Sequence, residues 1–314
     1  MGLAKPYRRA IPEDARITSW RAPDGWKLRR FDWPVARACR GSIMFQGGRG
    51  DVFEKYLEAF GHWHDRGWHV TSLDWRGQGG SGRLLSDPHI GHIDDFATYI
   101  ADLAAFWRDW AAEVPGPHVL MGHSMGGHLA LRALVEGAVR ADAAVLIAPM
   151  LGLHSPIGAG LSERLAKIMG AIGDPARPAW KGNERPATTT TREALLTHDH
   201  SRYEDELYWQ QTQPELRMGP PSWQWLIRAF ESTRVLNGDR RLQAMAVPTL
   251  LIVAEADKLV SPAAALQVAA KLPDASVVRF GAESAHEILR EADTVRDRAL
   301  HEIDGFLTSR LKGG

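Results

Sequence analysis

The sequence is short of cysteine. Cys39 is the one thiol in 314 residues, so no disulfide can form within the chain and a reducing compartment suits it. As a lone small residue it reads as a buried hydrophobe rather than a reactive group. A surplus of either charge is also lacking: 38 basic residues balance 38 acidic ones, for a formal net charge of +0. Binding to nucleic acid would call for a basic face, and anchoring to an anionic bilayer for a polybasic run. No nucleic-acid partner is therefore expected. Long apolar runs are missing as well. No stretch of ~18 apolar residues offers a transmembrane helix. Met1 to Pro12 has no apolar segment ahead of a small-residue cleavage site, so no signal peptide is expected. These gaps together point to a soluble cytoplasmic protein.

What the chain does have is 44% hydrophobic residues in an ordered pattern. Ile17 to Arg21 and Trp26 to Asp32 read as a hairpin turning at Pro23-Asp24-Gly25. Short apolar runs then alternate with helical periodicity. Strands are expected at Ile43–Phe45, Val70–Trp75, Val119–Met121, Ala143–Ala148, Leu250–Val253 and Val277–Phe280. Helices are expected at Val52–Trp63, from Phe96 through Ile100, Leu103, Trp107 and Trp110, and at Leu129–Val135, Ala263–Leu272 and Val295–Leu307. Such alternation predicts an α/β fold with a mostly parallel sheet, helices on both faces and an antiparallel edge from the opening hairpin. The alternation stops between about Leu151 and Asn237. That stretch carries helical segments, a polar loop around Lys181 to Thr191, and tryptophans at 180, 209, 223 and 225. It predicts an inserted helical cap over residues 151–237, between core segments 1–150 and 238–314.

Gly122-His123-Ser124-Met125-Gly126 fits Gly-x-Ser-x-Gly. The bare pattern arises by chance in roughly one chain in ten of this length, so its setting decides. It follows a strand and opens a helix, which is what a nucleophile elbow requires. Serine needs a base and an orienting acid, and in this arrangement the chain order is serine, acid, histidine. Asp257 follows the strand 250–253 and His286 follows the strand 277–280, so both fall on loops at the sheet edge that holds Ser124. His301 lies inside the last helix, Asp274 lies at the opposite edge, and Glu255 sits closer to its strand. The oxyanion of acyl transfer needs two backbone N–H donors. Met125, directly after the nucleophile, supplies one. The loop Gln46-Gly47-Gly48-Arg49-Gly50-Asp51 supplies the other, from Arg49 first and Gly48 second.

Two further patterns carry less. Gly77-Gln78-Gly79-Gly80-Ser81-Gly82 matches a dinucleotide fingerprint, but no helix follows to hold a phosphate. It reads as a tight loop in which Asp74 and Arg76 pair locally. His62 with His64, His89 with His92, and His198-Asp199-His200 lack the companions of a zinc site and read as solvated histidines. No metal and no cofactor are expected.

On these residues the chain resembles the monoacylglycerol lipase and lysophospholipase group of α/β hydrolases. The resemblance rests on Gly48 through Tyr56, Asp74 through Ser81, Gly122 through Gly127, Glu255-Ala256-Asp257 and His286-Glu287-Ile288-Leu289, in that order from about 40 to 310. The Glu54-Lys55-Tyr56 and Asp74-to-Gly79 stretches look most like the lysophospholipase L2 branch. Two departures stand out. Gly47-Gly48 replaces the family's usual His-Gly, and Gln78 stands where many relatives carry histidine. The resemblance implies a Ser124–Asp257–His286 triad, oxyanion donors at Arg49 and Met125, and a small ester substrate of lipid type, with transient contact to a membrane surface. Gly48 borders the substrate, while Trp209, Trp223, Leu226 and Phe230 line an acyl pocket or fill the cap's own small core. Small esters, amides or peptides are the alternative substrates, and ligand binding without turnover is a third reading. Acyl length, head group and oligomeric state are left open.

Overall fold

The computed structural model describes residues 7–36, 39–155, 157–180 and 189–311. Of the polar loop expected around Lys181 to Thr191, residues 181–188 lie outside them and Thr189 to Thr191 instead open a helix. The eight strands are β1 (Arg16–Arg21), β2 (Lys27–Trp33), β3 (Gly41–Gln46), β4 (Trp68–Leu73), β5 (His118–His123), β6 (Ala143–Ile147), β7 (Thr249–Ala254) and β8 (Ala275–Phe280). They form one sheet in the order β1-β2-β4-β3-β5-β6-β7-β8. The hairpin β1-β2 pairs antiparallel and joins β4 antiparallel, and every pairing from β4 to β8 is parallel.

Helices cover both faces. α1 (Leu57–His64) and α9 (Asp293–Arg310) lie on one, and α2 (Phe96–Glu113), α3 (Met125–Val135) and α8 (Pro262–Ala269) on the other. The strands sort their side chains accordingly, since successive residues point to opposite faces. Ile43, Phe45, Val119, Met121, Val145, Ile147, Leu250 and Ile252 meet Phe60, Trp63, Ile303 and Leu307. Met44, Leu120, Leu146, Leu251 and Val253 meet Phe106, Trp110, Leu129 and Val268. Each fully buried side chain of this size contributes about 1.5–3 kcal/mol, which explains why these strands read as unbroken apolar runs. Capping sets the helix starts: Asp95 accepts from Ala97 N–H ahead of α2, and Ser261 accepts from Ala264 N–H ahead of α8.

Between β6 and β7 the chain leaves the sheet and forms α4 (Ala159–Ala171), α5 (Thr189–Leu196), α6 (His200–Thr212) and α7 (Trp223–Gly238). This helical insertion sits beside the carboxyl ends of the parallel strands. α4 packs along α7, where Gly170 lies against Ile227.

Three sequence expectations change. The segment Val52–Trp63 is not one helix but a 3-10 turn (Phe53–Tyr56) leading into α1. Cys39 is exposed, because it lies in the connection before β3 rather than in the strand. Asp74 and Arg76 do not pair with each other. Asp74 takes Arg29 (2.6 Å), and Arg76 reaches Asp102 (2.7 Å) and Asp24 (2.7 Å), partners brought close by the hairpin and α2 rather than by the local chain.

Candidate active site

Ser124 stands between β5 and α3 with φ 53° and ψ −118°. A non-glycine residue at positive φ is strained, and here the surroundings dictate it. Ser124 N–H donates to Ile147 O (3.0 Å), and its carbonyl accepts from His128 N–H (3.1 Å) and Met150 N–H (2.9 Å). The flanking glycines are steric requirements. A Cβ on Gly122 would lie 2.5 Å from the backbone of Gly126 and Gly127, and one on Gly126 would lie 2.2 Å from Gln46 O. Met125 is the first residue of α3, and the leading N–H groups of a helix have no acceptor within it.

The loop after β3 passes directly over the serine. A Cβ on Gly48 would lie 2.9 Å from Ser124 Cβ, so only glycine lets this backbone come so near. Gly48 N–H donates to Asp51 Oδ2 at 2.7 Å. Gly47 O accepts from Trp75 Nε1 at 2.8 Å, and Gly50 N–H donates to Gln78 Oε1 at 2.6 Å. Gln78, one of the two family departures, thus braces the loop that holds Arg49. The Arg49 side chain extends into the insertion, where it donates to Gly219 O and lies over the Trp225 ring.

Asp257 and His286, on the loops after β7 and β8, come together. His286 Nδ1 donates to Asp257 Oδ2 at 2.5 Å, and Asp257 Oδ1 accepts from Leu259 N–H (2.7 Å) and Val260 N–H (3.1 Å). Both side chains are buried. Burial opposes each charge, yet the partners overcome it. Asp257 is held below the usual carboxylate range by the imidazole and the two backbone donors, and His286 is raised by Asp257, Glu287 and Asp51.

Ser124, His286, Gly48 and Arg49 line one cavity of about 490 Å³. Met150, Leu153, Trp180, Trp225, Leu226 and Val260 form apolar wall, and Arg192, Gln210 and Glu287 stand at polar positions. Of the expected pocket residues, Gly48 and Leu226 line it. Trp209, Trp223 and Phe230 do not. Trp209 is buried and donates to Arg8 O, Trp223 packs under Arg177, and Phe230 is buried on α7. Trp225 and Trp180 take their place. A helical period cannot tell which tryptophan of a solvent-poor insertion turns inward.

The histidine pairs are not simply solvated. His62 meets Asp304 (2.8 Å), His92 is buried against Ser222 Oγ (2.8 Å), and His200 meets Glu193 (2.8 Å). Among the described residues no group of three His, Cys, Asp or Glu side chains is arranged to hold a metal.

Sequence reading missed one group altogether. Asp51, Lys55, Tyr56, His123, Glu206, Glu287 and Arg290 form a buried polar cluster beneath the site. A charged residue set among Phe53, Tyr56 and Leu57 was the available signal, since an isolated charge is rarely buried unpaired.

An eight-stranded, mostly parallel sheet whose central strand runs through a strained serine into a helix defines the α/β-hydrolase class. Comparison with known proteins narrows this. The family model described as serine aminopeptidase, S33, matches residues 37–293. Lysophospholipase L2 of Escherichia coli (strain K12) is 33% identical over 283 residues, covering 84% of this chain and 79% of its own. Monoglyceride lipase of Rattus norvegicus is 21% identical over 243 residues, covering 73% of this chain and 74% of its own. A soluble variant of monoglyceride lipase from Saccharomyces cerevisiae shares the fold with a TM-score of 0.76 at 17% identity, over 99% of each chain. The chain belongs to the serine aminopeptidase S33 family of α/β hydrolases and is an ester hydrolase of that class.

Proposed function

We propose that the protein hydrolyses single-chain lipid esters, of lysophospholipid or monoacylglycerol type, through an acyl-enzyme on Ser124. The observation that carries this reading is the meeting, in one cavity, of a strained serine with His286, which is itself hydrogen-bonded to Asp257. His286 takes the Ser124 proton as Oγ attacks the ester carbonyl. The N–H groups of Arg49 and Met125 receive the oxyanion, because that of Gly48 is already given to Asp51. His286 then protonates the leaving alcohol, and water releases the acid by the reverse path. Asp257 orients the imidazole and stabilises its charged form.

Three features support lipid esters. The cavity is mainly apolar and of a size that takes one ligand. The carboxylates lining it, Asp51 and Glu287, are both engaged with Lys55 (2.5 and 2.6 Å), which disfavours an aminopeptidase that must bind a free amine. Residues 151–237 act as a cap, and the exposed side of α4 presents Leu161 (56%), Leu165 (47%), Ile168 (58%) and Ile172 (60%) as a stripe. That stripe is the surface offered to a lipid aggregate, within a cytoplasmic setting. Among the described residues no helix is long and apolar enough to cross a membrane.

A fluorophosphonate probe tests the nucleophile, with labelling expected in the wild type and absent in Ser124→Ala. Turnover of p-nitrophenyl esters of increasing length, beside lysophospholipid and monoacylglycerol, tests the substrate. A rate maximum at acetate with no lipid turnover refutes the lipid reading.

A further inference from the structure

The polar cluster under the site centres on Lys55. Its ammonium donates to Asp51 Oδ1 (2.5 Å) and Glu287 Oε1 (2.6 Å) and lies 3.2 Å from Glu206 Oε2. These three carboxylates come from three separate parts of the molecule. Asp51 belongs to the loop over Ser124, Glu287 directly follows His286, and Glu206 is on α6 of the insertion.

Each partner reaches the reaction centre or the insertion by a second bond. Asp51 Oδ2 accepts from Gly48 N–H (2.7 Å) and Tyr56 Oη (2.6 Å), and meets His123 Nδ1 (3.0 Å). His123 Nε2 donates to the carbonyl of His286 at 3.2 Å. Glu287 also pairs with Arg290, and Glu206 with Arg290 (3.3 Å) and Arg192 (2.7 Å). Lys55, Glu206 and Glu287 side chains are each 2% exposed. A buried charge is costly unless fully paired, so these bonds hold together or fail together.

We propose that Lys55 is a positioning residue for ester hydrolysis: its ammonium joins the oxyanion loop, the histidine loop and helix α6 of the insertion in one register. Lys55 borders the cavity, but its ammonium is taken up by the three carboxylates, so it acts through them rather than on the ester. The proposal rests on the ester-hydrolase reading above and adds to it a source for the alignment of the two halves of the machinery.

The arrangement carries an electrostatic signature. The groups facing His286 are Asp257 from the loop after β7, Asp51 from the loop after β3, His123 from β5 and Glu287 beside it. Facing Lys55 are Asp51, Glu206, Glu287 and, as a like charge, Arg290. Lys55 offsets Asp51 and Glu287, both of which favour the protonated imidazole. His286 must be neutral to act as base, so the acid limb of kcat/KM follows its protonation. Lys55→Met removes the cation that the two carboxylates share, leaves them with their remaining partners only, and moves that limb to higher pH. Asp51→Asn removes one carboxylate, keeps an acceptor for Gly48 N–H, and moves it to lower pH.

The test is the pH dependence of p-nitrophenyl ester hydrolysis by the full chain, with active sites counted by fluorophosphonate and folding checked by circular dichroism. Lys55→Met is expected to lower kcat at least tenfold per active site with KM changed less than threefold, and Lys55→Arg to recover most of it. Opposite displacement of the acid limb in Lys55→Met and Asp51→Asn supports the proposal. Unmoved limbs, or Lys55→Met with wild-type kcat, overturn it, and if Lys55→Met does not fold then the Asp51→Asn limb decides. An inert wild type refutes the hydrolase reading and the proposal with it. An active wild type with unaffected variants refutes the proposal alone.

Discussion

Holding Ser124 at φ 53° and ψ −118° costs about 1–3 kcal/mol. The molecule sustains this because the backbone bonds from Ile147, His128 and Met150 determine the turn from three sides. The strained turn sets Ser124 at the start of a helix, in the wall of the cavity it shares with Gly48, Arg49 and His286. Alanine at this position keeps the strain, whereas glycine relieves it. Ser124→Gly is therefore expected to be inactive yet more stable than Ser124→Ala by about 1 kcal/mol. Urea unfolding of the two variants compares them, and equal midpoints at equal slope would show the turn to be unstrained.

At the scale of the element, α3 does more than follow Ser124. His128, one turn in, is fully buried, and its Nε2 meets Ser232 Oγ of α7 at 2.7 Å while Nδ1 has no hydrogen-bond partner. Burial first, and the nearby Arg132 second, lower its pKa to about 3. The folded state thus leaves His128 neutral down to that pH, whereas the unfolded chain protonates it near 6.5. Protons bind the unfolded state more readily between those values, so stability falls as the pH drops through the unfolded value. About 2 kcal/mol is lost to this one group between pH 7 and pH 5. Denaturant unfolding at both values should show His128→Gln losing less than the wild type, and equal losses would remove His128 as the source.

The elements were legible where local periodicity and tertiary burial agree. The alternating faces of Ile43 to Phe45 and Leu250 to Val253 show as apolar runs, and the spacing from Phe96 to Trp110 shows as a stripe. Ser124 was legible because strain, glycine and helix start are all local. What stayed hidden depends on distant chain. Lys55 meets Glu206 and Glu287 across 151 and 232 positions, Asp74 meets Arg29 through the opening hairpin, and Trp225 rather than Trp223 turns to the cavity because α4 packs on the other side of α7. Spacing rules carry no information on such meetings, and an even composition conceals a buried ionic cluster completely.

Over the whole molecule, charge and apolar surface are distributed unevenly. Buried ion pairs fasten α6 to the core, through Arg202 with Glu58 (2.8 Å) and Lys55 with Glu206, while exposed apolar side chains gather along α4. One side of the insertion is thus fastened and the other presented outward. Leu165 and Ile168 each bring about 1.5–3 kcal/mol if buried in an acyl layer. The double variant Leu165→Ser/Ile168→Ser is expected to bind liposomes at least tenfold more weakly in co-sedimentation, with hydrolysis of p-nitrophenyl acetate unchanged. Wild-type binding by the variant would place the lipid contact elsewhere.

The contact of Gly126 with the carbonyls of Gln46 and Gly47 bears on how such an enzyme diversifies. With no room there for even one methyl group, the strand β3 that leads into the loop over Ser124 and the helix α3 that follows Ser124 behave as a single casting. New substrates cannot be accommodated by shifting one against the other. Change is diverted to the segment between β6 and β7, which joins this casting by two crossings of the chain. Substitutions there can reshape the cavity wall at Leu226 or Trp225 without disturbing the Gly126 contact.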